Sequence, residues 1–167
     1  DIPMNIQAAF IAPPSGLVKQ HVSEEKIKCV SDKEIENIVE EIKKCERPVF
    51  WLGNGIRLGG GVSLVETLLS TSHIPALVSW AGIDLIDSDH PLVYGRAGVY
   101  GSRSANFILQ NCDLLICIGT RLAIPQVGYD ISELARAAKI VQVDIDEEEL
   151  KKYSQRIDYP VCSDAKL

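Results

Sequence analysis

The chain has 167 residues, 46% hydrophobic, 24% charged and 6% aromatic, and its 23 acidic against 17 basic residues give a net charge of −6. A domain of this size removes roughly 70% of its unfolded surface from water, which allows a core without disulfides or metal and excludes disordered and collagen-like classes. The negative balance argues against a nucleic-acid duplex or an anionic membrane as main partner; the five cysteines (29, 45, 112, 117, 162) contain no C-x-x-C pair and read as reduced thiols of a cytoplasmic protein, not as a zinc site or disulfide framework.

The chain opens on Asp1-Ile2-Pro3-Met4-Asn5, with no basic segment leading into an apolar run and no start methionine, and reads as a piece of a longer protein. No apolar stretch approaches the roughly 18 residues of a membrane span. Residues 13–30, with Pro13-Pro14-Ser15-Gly16 and then Glu24-Glu25-Lys26, read as a linker. Ser31-Asp32-Lys33-Glu34 has capping-box form, and Ile35, Ile38, Val39 and Ile42 follow at helical spacing, predicting a helix over 32–45. Pro48 introduces the apolar run Val49-Phe50-Trp51-Leu52, a buried strand that ends on Gly53-Asn54-Gly55.

The alternation then repeats. Val62, Val65, Leu68 and Leu69 mark a helix that stops before Pro75, and 76–79 is the next strand. A helix is predicted over 102–110, with Ala105, Ile108 and Leu109 on one face, and Leu114-Leu115-Ile116-Cys117-Ile118 is the clearest strand. Ile131, Leu134, Ala135 and Ala138 predict another helix before the strand 140–143, which ends in Asp144-Ile145-Asp146. A short helix over 147–152 leads to Tyr159-Pro160-Val161-Cys162. Continuous apolar strands alternating with helices imply parallel pairing with both faces covered, so the fold class is α/β, a doubly wound, mainly parallel sheet in three α/β/α layers. Ligands of such sheets sit beyond the carboxyl ends of the strands.

Three glycine-bearing loops stand at those ends. Gly53-Asn54-Gly55-Ile56-Arg57-Leu58-Gly59 is one residue longer than the dinucleotide fingerprint, and Ser79-Trp80 stands where the ribose-binding carboxylate would close the next strand, so ordinary NAD binding is disfavoured. Glycines needed only for tight packing explain that loop equally well. Tyr94-Gly95-Arg96-Ala97-Gly98-Val99-Tyr100-Gly101-Ser102-Arg103 combines glycines with two arginines, and Gly119-Thr120-Arg121 ends the best strand. Together they suit an anionic ligand, whereas the alternative pairs the arginines with surface carboxylates or a neighbouring domain. The cluster Asp84, Asp87, Asp89 and His90 reads as a solvated turn. His21, His73 and His90 read as surface or capping residues, Cys112 and Cys117 as buried apolar side chains, and Glu147-Glu148-Glu149 as the first turn of a helix.

The order Trp51-Leu52-Gly53-Asn54-Gly55, Ile74-Pro75-Ala76, Gly98-Val99-Tyr100-Gly101 with Ala105-Asn106, Asn111-Cys112-Asp113-Leu114-Leu115, Gly119-Thr120-Arg121 and 138–146 resembles the Rossmann-like central domain of thiamine-diphosphate-dependent enzymes. The nearest pattern is that of acetolactate synthase (acetohydroxyacid synthase) large subunits. The resemblance implies that residues 1–12 end a preceding pyrimidine-binding domain and that 31–167 form the central nucleotide-binding-like domain. It implies a full-length transferase that uses thiamine diphosphate and magnesium, both held by absent domains, to decarboxylate a 2-keto acid and transfer two carbons. The activating glutamate and the Gly-Asp-Gly metal motif belong to those domains, so this chain would carry no catalytic residue or metal ligand and be inactive alone. Its partners would be the flanking pyrimidine-binding and diphosphate-binding domains, in a homo-oligomer.

Relatives bind FAD, ADP or nothing in this domain. The contacts implied are Gly53, Asn54 and Gly55; Gly98, Val99, Tyr100 and Gly101; Gly119, Thr120 and Arg121; and Asp144, Ile145 and Asp146. FAD-binding synthases follow the arginine with an aromatic residue and two aspartates, whereas this chain reads Arg121-Leu122-Ala123-Ile124-Pro125, which weighs against FAD. The rival reading is a free-standing FAD-, ADP- or NAD-binding module.

Overall fold

The computed structural model describes residues 2–12 and 29–167. Most of the predicted linker, and His21 with it, lies outside the described residues. A short helix, α1 (Met4–Gln7), has no buried side chain. The first long helix, α2 (Asp32–Lys44), starts where the capping box places it: the Ser31 hydroxyl accepts from the Glu34 amide, and the Glu34 carboxylate accepts from the Ser31 amide at 2.9 Å. Of its predicted apolar face, Ile38 and Ile42 pack against the core while Ile35 and Val39 remain exposed.

The four predicted apolar runs are strands: β1 (Pro48–Leu52), β2 (Ala76–Val78), β4 (Leu114–Ile118) and β5 (Lys139–Asp144). Two more join them, β3 (Val93–Arg96) and β6 (Tyr159–Cys162). All pair in parallel in the order β3-β2-β1-β4-β5-β6, the doubly wound order in which the chain reverses direction across the sheet between β1 and β4. The β1–β4 register sets Trp51 beside Cys117, and the β4–β5 register sets Cys117 beside Gln142. β3 lacks a continuous apolar run because it is an edge strand, no residue of which is fully buried, and its register with β2 is irregular.

Alternation along each strand feeds two cores. Val49, Trp51, Leu115, Cys117 and Ile140 face a cluster closed by Ala105 and Leu109 of α5 (Arg103–Asn111) and by the segment 122–138, which includes the one-turn helix α6 (Ile124–Val127). Phe50, Leu52, Ile116 and Val141 face the opposite cluster, closed by Val65 and Leu69 of α4 (Val62–Ser72) and by α2. Each fully buried aliphatic side chain contributes on the order of 1.5–3 kcal/mol. His73 caps α4 in a left-handed conformation, and α7 (Glu147–Lys151) is capped by Asp146 with three glutamates in its first turn.

The helix predicted through Ile131–Ala138 does not form. A 3-10 turn (Ile131–Glu133) is followed by a tight coil in which the Arg156 guanidinium donates to the carbonyls of Leu134, Ala135 and Ala138 at 3.0, 2.7 and 2.9 Å. The Ala135 amide donates to the Gln110 side chain at 3.1 Å. Side chains from elsewhere thus satisfy the backbone groups that a helix would have paired internally, and the apolar face predicted from spacing is buried in coil form.

Candidate functional site

A cavity of about 900 Å³ runs along the carboxyl edge of the sheet, lined from the ends of all six strands. Across six strands that edge spans about 24 Å at 4.8 Å per strand. Its floor is the seam where the β1 and β4 loops meet. The Gly53 amide donates to the Ile118 carbonyl, the Gly55 amide to the Gly119 carbonyl and the Gly119 amide to the Val143 carbonyl, all at 2.9 to 3.0 Å. A Cβ on Gly53 would stand 2.2 Å from the Gly119 oxygen, and Gly119 itself has φ +60° against the Gly55 backbone. Close packing of two backbones therefore accounts for these three glycines. The following helix, α3 (Gly55–Leu58), is a single turn.

Of the predicted contacts, Asn54, Gly55, Tyr100, Gly119, Thr120, Arg121, Asp144 and Ile145 line the cavity. Gly53, Gly98, Val99, Gly101 and Asp146 support it from outside the lining. Gly98 is clamped by Asn106, whose side chain accepts from its amide at 2.8 Å and donates to its carbonyl at 3.1 Å. Asp146 donates its amide to Asp144 at 3.0 Å and caps α7. Ser79 and Trp80 after β2, Arg96 at the end of β3 and Asp164 after β6 also line the cavity and were not among the predicted contacts. The signal that would have found them is positional: each ends or follows a strand of a parallel sheet, and such ends share one edge. No carboxylate stands after β2, where Ser79 is buried and Trp80 is 61% exposed.

The three arginines near the cavity are held differently. Arg57 donates to Asn54 at 2.7 Å and to Asp84 at 2.5 Å. Arg121 donates to Glu149 at 2.9 Å, and Lys152 donates both to Glu149 and to the Arg121 carbonyl at 2.5 Å. Burial alone would raise the Glu149 carboxyl, but the Lys152 and Arg121 hydrogen bonds outweigh it and hold the group below the usual range. Arg96 instead lies over the Trp80 ring, 4.8 Å from its centroid, and Trp80 meets Tyr100 edge-on at 5.7 Å. Arg103, in the same loop, stacks on Phe107. Arg57 and Arg121 are paired with carboxylates, whereas Arg96 and Arg103 lie on aromatic rings.

Asp144 is buried at the end of β5, and burial pushes its carboxyl above the usual range, with the nearby Glu149 and Asp146 charges adding to the effect. Thr120 is buried and accepts from Gln126 at 3.1 Å, and Leu122 turns fully inward at φ +49°. Leu122, the residue after Arg121, is therefore not part of the cavity lining. Asp84 is tied to Arg57, Asp87 accepts from the Asp89 amide, and His90 accepts from the Leu92 amide at 3.2 Å, as in a self-bonded turn. Among the described residues no group of three or more His, Cys, Asp or Glu side chains could hold a metal ion. Cys112 and Cys117 are buried: burial pushes the Cys112 thiol up to about 12 and Cys117 higher still, so both are inert at neutral pH.

The chain is 33% identical over 135 residues to the probable acetolactate synthase large subunit of Methanococcus aeolicus, covering 81% of this chain and 22% of that protein. It is 29% identical over 157 residues to the acetolactate synthase isozyme 2 large subunit of Escherichia coli (strain K12), covering 93% and 27%. With the acetolactate synthase large subunit of Lactococcus lactis it shares 28% over 170 residues, covering 99% and 28%. The chain thus spans about a quarter of the length of the curated relatives it matches. The family described as thiamine pyrophosphate enzyme, central domain, matches residues 35–167, from the first turn of α2 through β6, the same stretch whose strand order creates the crevice, and the chain belongs to that family.

Proposed function

We propose that the chain works as the noncatalytic central domain of a longer, acetolactate-synthase-like enzyme, and that its carboxyl-edge crevice holds an adenine nucleotide, ADP or FAD. The observation that carries this reading is a six-strand crevice of dinucleotide length in a chain that belongs to this family. The crevice offers a cationic corner at Arg96, beside the exposed Trp80 ring, for the anionic part of such a ligand. Asn54, Gly55 and Thr120 would form the floor beneath the ligand. A flavin bound here would supply structural cross-linking of the loops. The inward turn of Leu122 favours ADP over FAD.

In the whole protein, thiamine diphosphate with magnesium would supply 2-keto acid decarboxylation and two-carbon transfer from the flanking pyrimidine-binding and diphosphate-binding domains, within a homo-oligomer. The boundaries 1–12, 13–30 and 31–167 belong to this proposal. A cytoplasmic setting is supported by five cysteines that contain no C-x-x-C pair, and no helix among the described residues is long and apolar enough to cross a membrane. Calorimetric titration with ADP, FAD and NAD tests the reading: binding of ADP or FAD without turnover of a 2-keto acid is expected. Tight NAD binding with turnover would overturn it. A second reading, a ligand-free scaffold between domains, is favoured by the glycine seam, which backbone packing alone explains; absence of binding to all three nucleotides would select it.

A further inference from the structure

We propose that Arg96, carried on the Trp80 ring at the β3 end of the crevice, is the group that binds the diphosphate of the crevice ligand. The charge inventory of the crevice singles it out. Arg57 is bonded to Asn54 and Asp84, and Arg121 is neutralised by Glu149. The amides of Gly53, Gly55 and Gly119 donate to backbone carbonyls, and those of Gly98 and Gly101 are likewise engaged, so the glycine loops offer few donors to an anion. Among the described residues the Arg96 guanidinium has no ion pair and no hydrogen bond; its one partner is the Trp80 face. A cation on an aromatic face keeps its full charge, and its fork of N–H groups matches two phosphate oxygens at once.

The backbone that presents it is fixed. Arg96 pairs with Val78 in the sheet, and its carbonyl accepts from the amide of Ser102, the residue that caps α5. Tyr100 braces the edge of Trp80 on the cavity side. The buried carboxylate of Asp144 lies on β5, four strand spacings away, about 19 Å at 4.8 Å per strand. A diphosphate at Arg96 therefore avoids the one buried acid of the crevice.

The assignment rests on the nucleotide reading but is separable from it by the choice of probe. Inorganic pyrophosphate, ADP and adenosine are titrated into the chain, with affinity read by calorimetry and site by fluorescence. Trp80 is the exposed tryptophan and Trp51 is fully buried, so a pyrophosphate-dependent emission change that vanishes in Trp80→Phe locates the anion. Arg96→Gln should weaken pyrophosphate and ADP at least tenfold, leave adenosine unchanged and steepen no salt dependence. Arg96→Lys should recover part of the loss, and Arg121→Gln should change pyrophosphate affinity less than threefold. Circular dichroism of each variant should match the parent chain, because the guanidinium makes no hydrogen bond.

Pyrophosphate binding that is absent in the parent chain, that is unchanged in Arg96→Gln, or that falls more in Arg121→Gln overturns the assignment. If ADP binds the parent and Arg96→Gln alike, the nucleotide reading stands and Arg96 does not. If pyrophosphate binds through Arg96 but ADP and FAD bind no tighter than pyrophosphate, the assignment stands and the nucleotide reading fails.

Discussion

The two walls of the crevice carry one arginine each and use it in opposite ways. On the β4-β5-β6 wall, Arg121 is closed into a network with Glu149 and Lys152, and its side chain is 75% exposed beyond that pair. On the β3-β2-β1 wall, Arg96 is half-buried against Trp80 and makes no ion pair among the described residues. Counting the arginines that line the crevice would rate the walls equal. A neutralised cation must first exchange one carboxylate for another to bind an anion, whereas a cation on an aromatic ring has nothing to give up. The difference teaches that the sign of a crevice is set by which charges lack partners, while the walls themselves are joined by the β1–β4 ladder, by the glycine seam at the floor and by the Val99 amide donating to the Pro125 carbonyl at 2.9 Å.

The largest expected effect comes from prying that seam open. Gly53→Ala places a Cβ against the Gly119 oxygen, and because both sides are backbone the strain has no flexible group to relax into. A loss of about 3 kcal/mol or more is expected, at the top of the range for overpacking, measured by urea unfolding. A loss below about 1 kcal/mol would show that the seam does not hold the two loops in register.

The opposite end of the sheet tests whether the walls depend on the whole fold or on the seam alone. Asp113, just before β4, accepts from the amides of Glu46 and Arg47 at 2.8 Å each, tying the α2–β1 turn to β4. Burial would raise its carboxyl, but those two amides and the Arg47 charge outweigh it and leave it lowered. Asp113→Asn has one acceptor oxygen in place of two, so one amide loses its partner, at about 1–3 kcal/mol. Because the folded carboxyl is lowered, its stabilisation is complete above the unfolded value of about 3.9 and is lost as pH falls through the folded one. The acid limb of the stability profile should therefore flatten in the variant. Pyrophosphate affinity at neutral pH should not change; a change would mean that the amino edge also shapes the walls.

Beneath the β4-β5 wall, Gln142 is fully buried beside Cys117 and neither its amide nitrogen nor its oxygen has a partner among the described residues; Trp51 Nε1 shares that condition in the same row. Replacing a buried, unpaired amide by a group of the same length removes its desolvation cost, so Gln142→Met should stabilise the chain by about 1 kcal/mol. Destabilisation by a similar amount would reveal a partner for the amide. The Arg96 wall, built on β2 and β3, should not respond.

The strands that carry both walls were legible where both faces are apolar, as at Val49-Phe50-Trp51-Leu52 and 114–118, because a doubly covered strand has no polar residue to obscure it. β3 was not legible, since an edge strand with a glycine and an arginine has the composition of a loop. The segment 131–138 has helical spacing, yet Arg156, some twenty residues later, captures its carbonyls, and no local signal announces that. The crevice followed the same division. Its glycine loops stand out in composition, although the seam residues among them proved to answer to packing. Trp80 and Arg96 come from separate strands, and their stacking is a product of strand order, which local periodicity does not encode.

The smallest expected effect is the most direct comparison of the two arginines. Glu149→Gln leaves Lys152 on the Arg121 carbonyl but removes the charge that neutralises Arg121. The stability change should stay within about 1 kcal/mol, since Arg121 is mostly exposed and screened by water. Pyrophosphate affinity should rise about threefold, roughly 0.65 kcal/mol at 1.4 kcal/mol per tenfold, because a second unpaired cation now faces the crevice. In the parent chain the same release should occur on acidification. The lowered Glu149 carboxyl stays ionised through neutral pH, and only as pH falls through its folded value, below the usual glutamate value of about 4.3, does it take up a proton and let Arg121 go. A Glu149→Gln chain that binds pyrophosphate no better than the parent would mean that Arg121 cannot reach the ligand even when freed, leaving Arg96 as the anion-binding group for a reason of distance and not of charge.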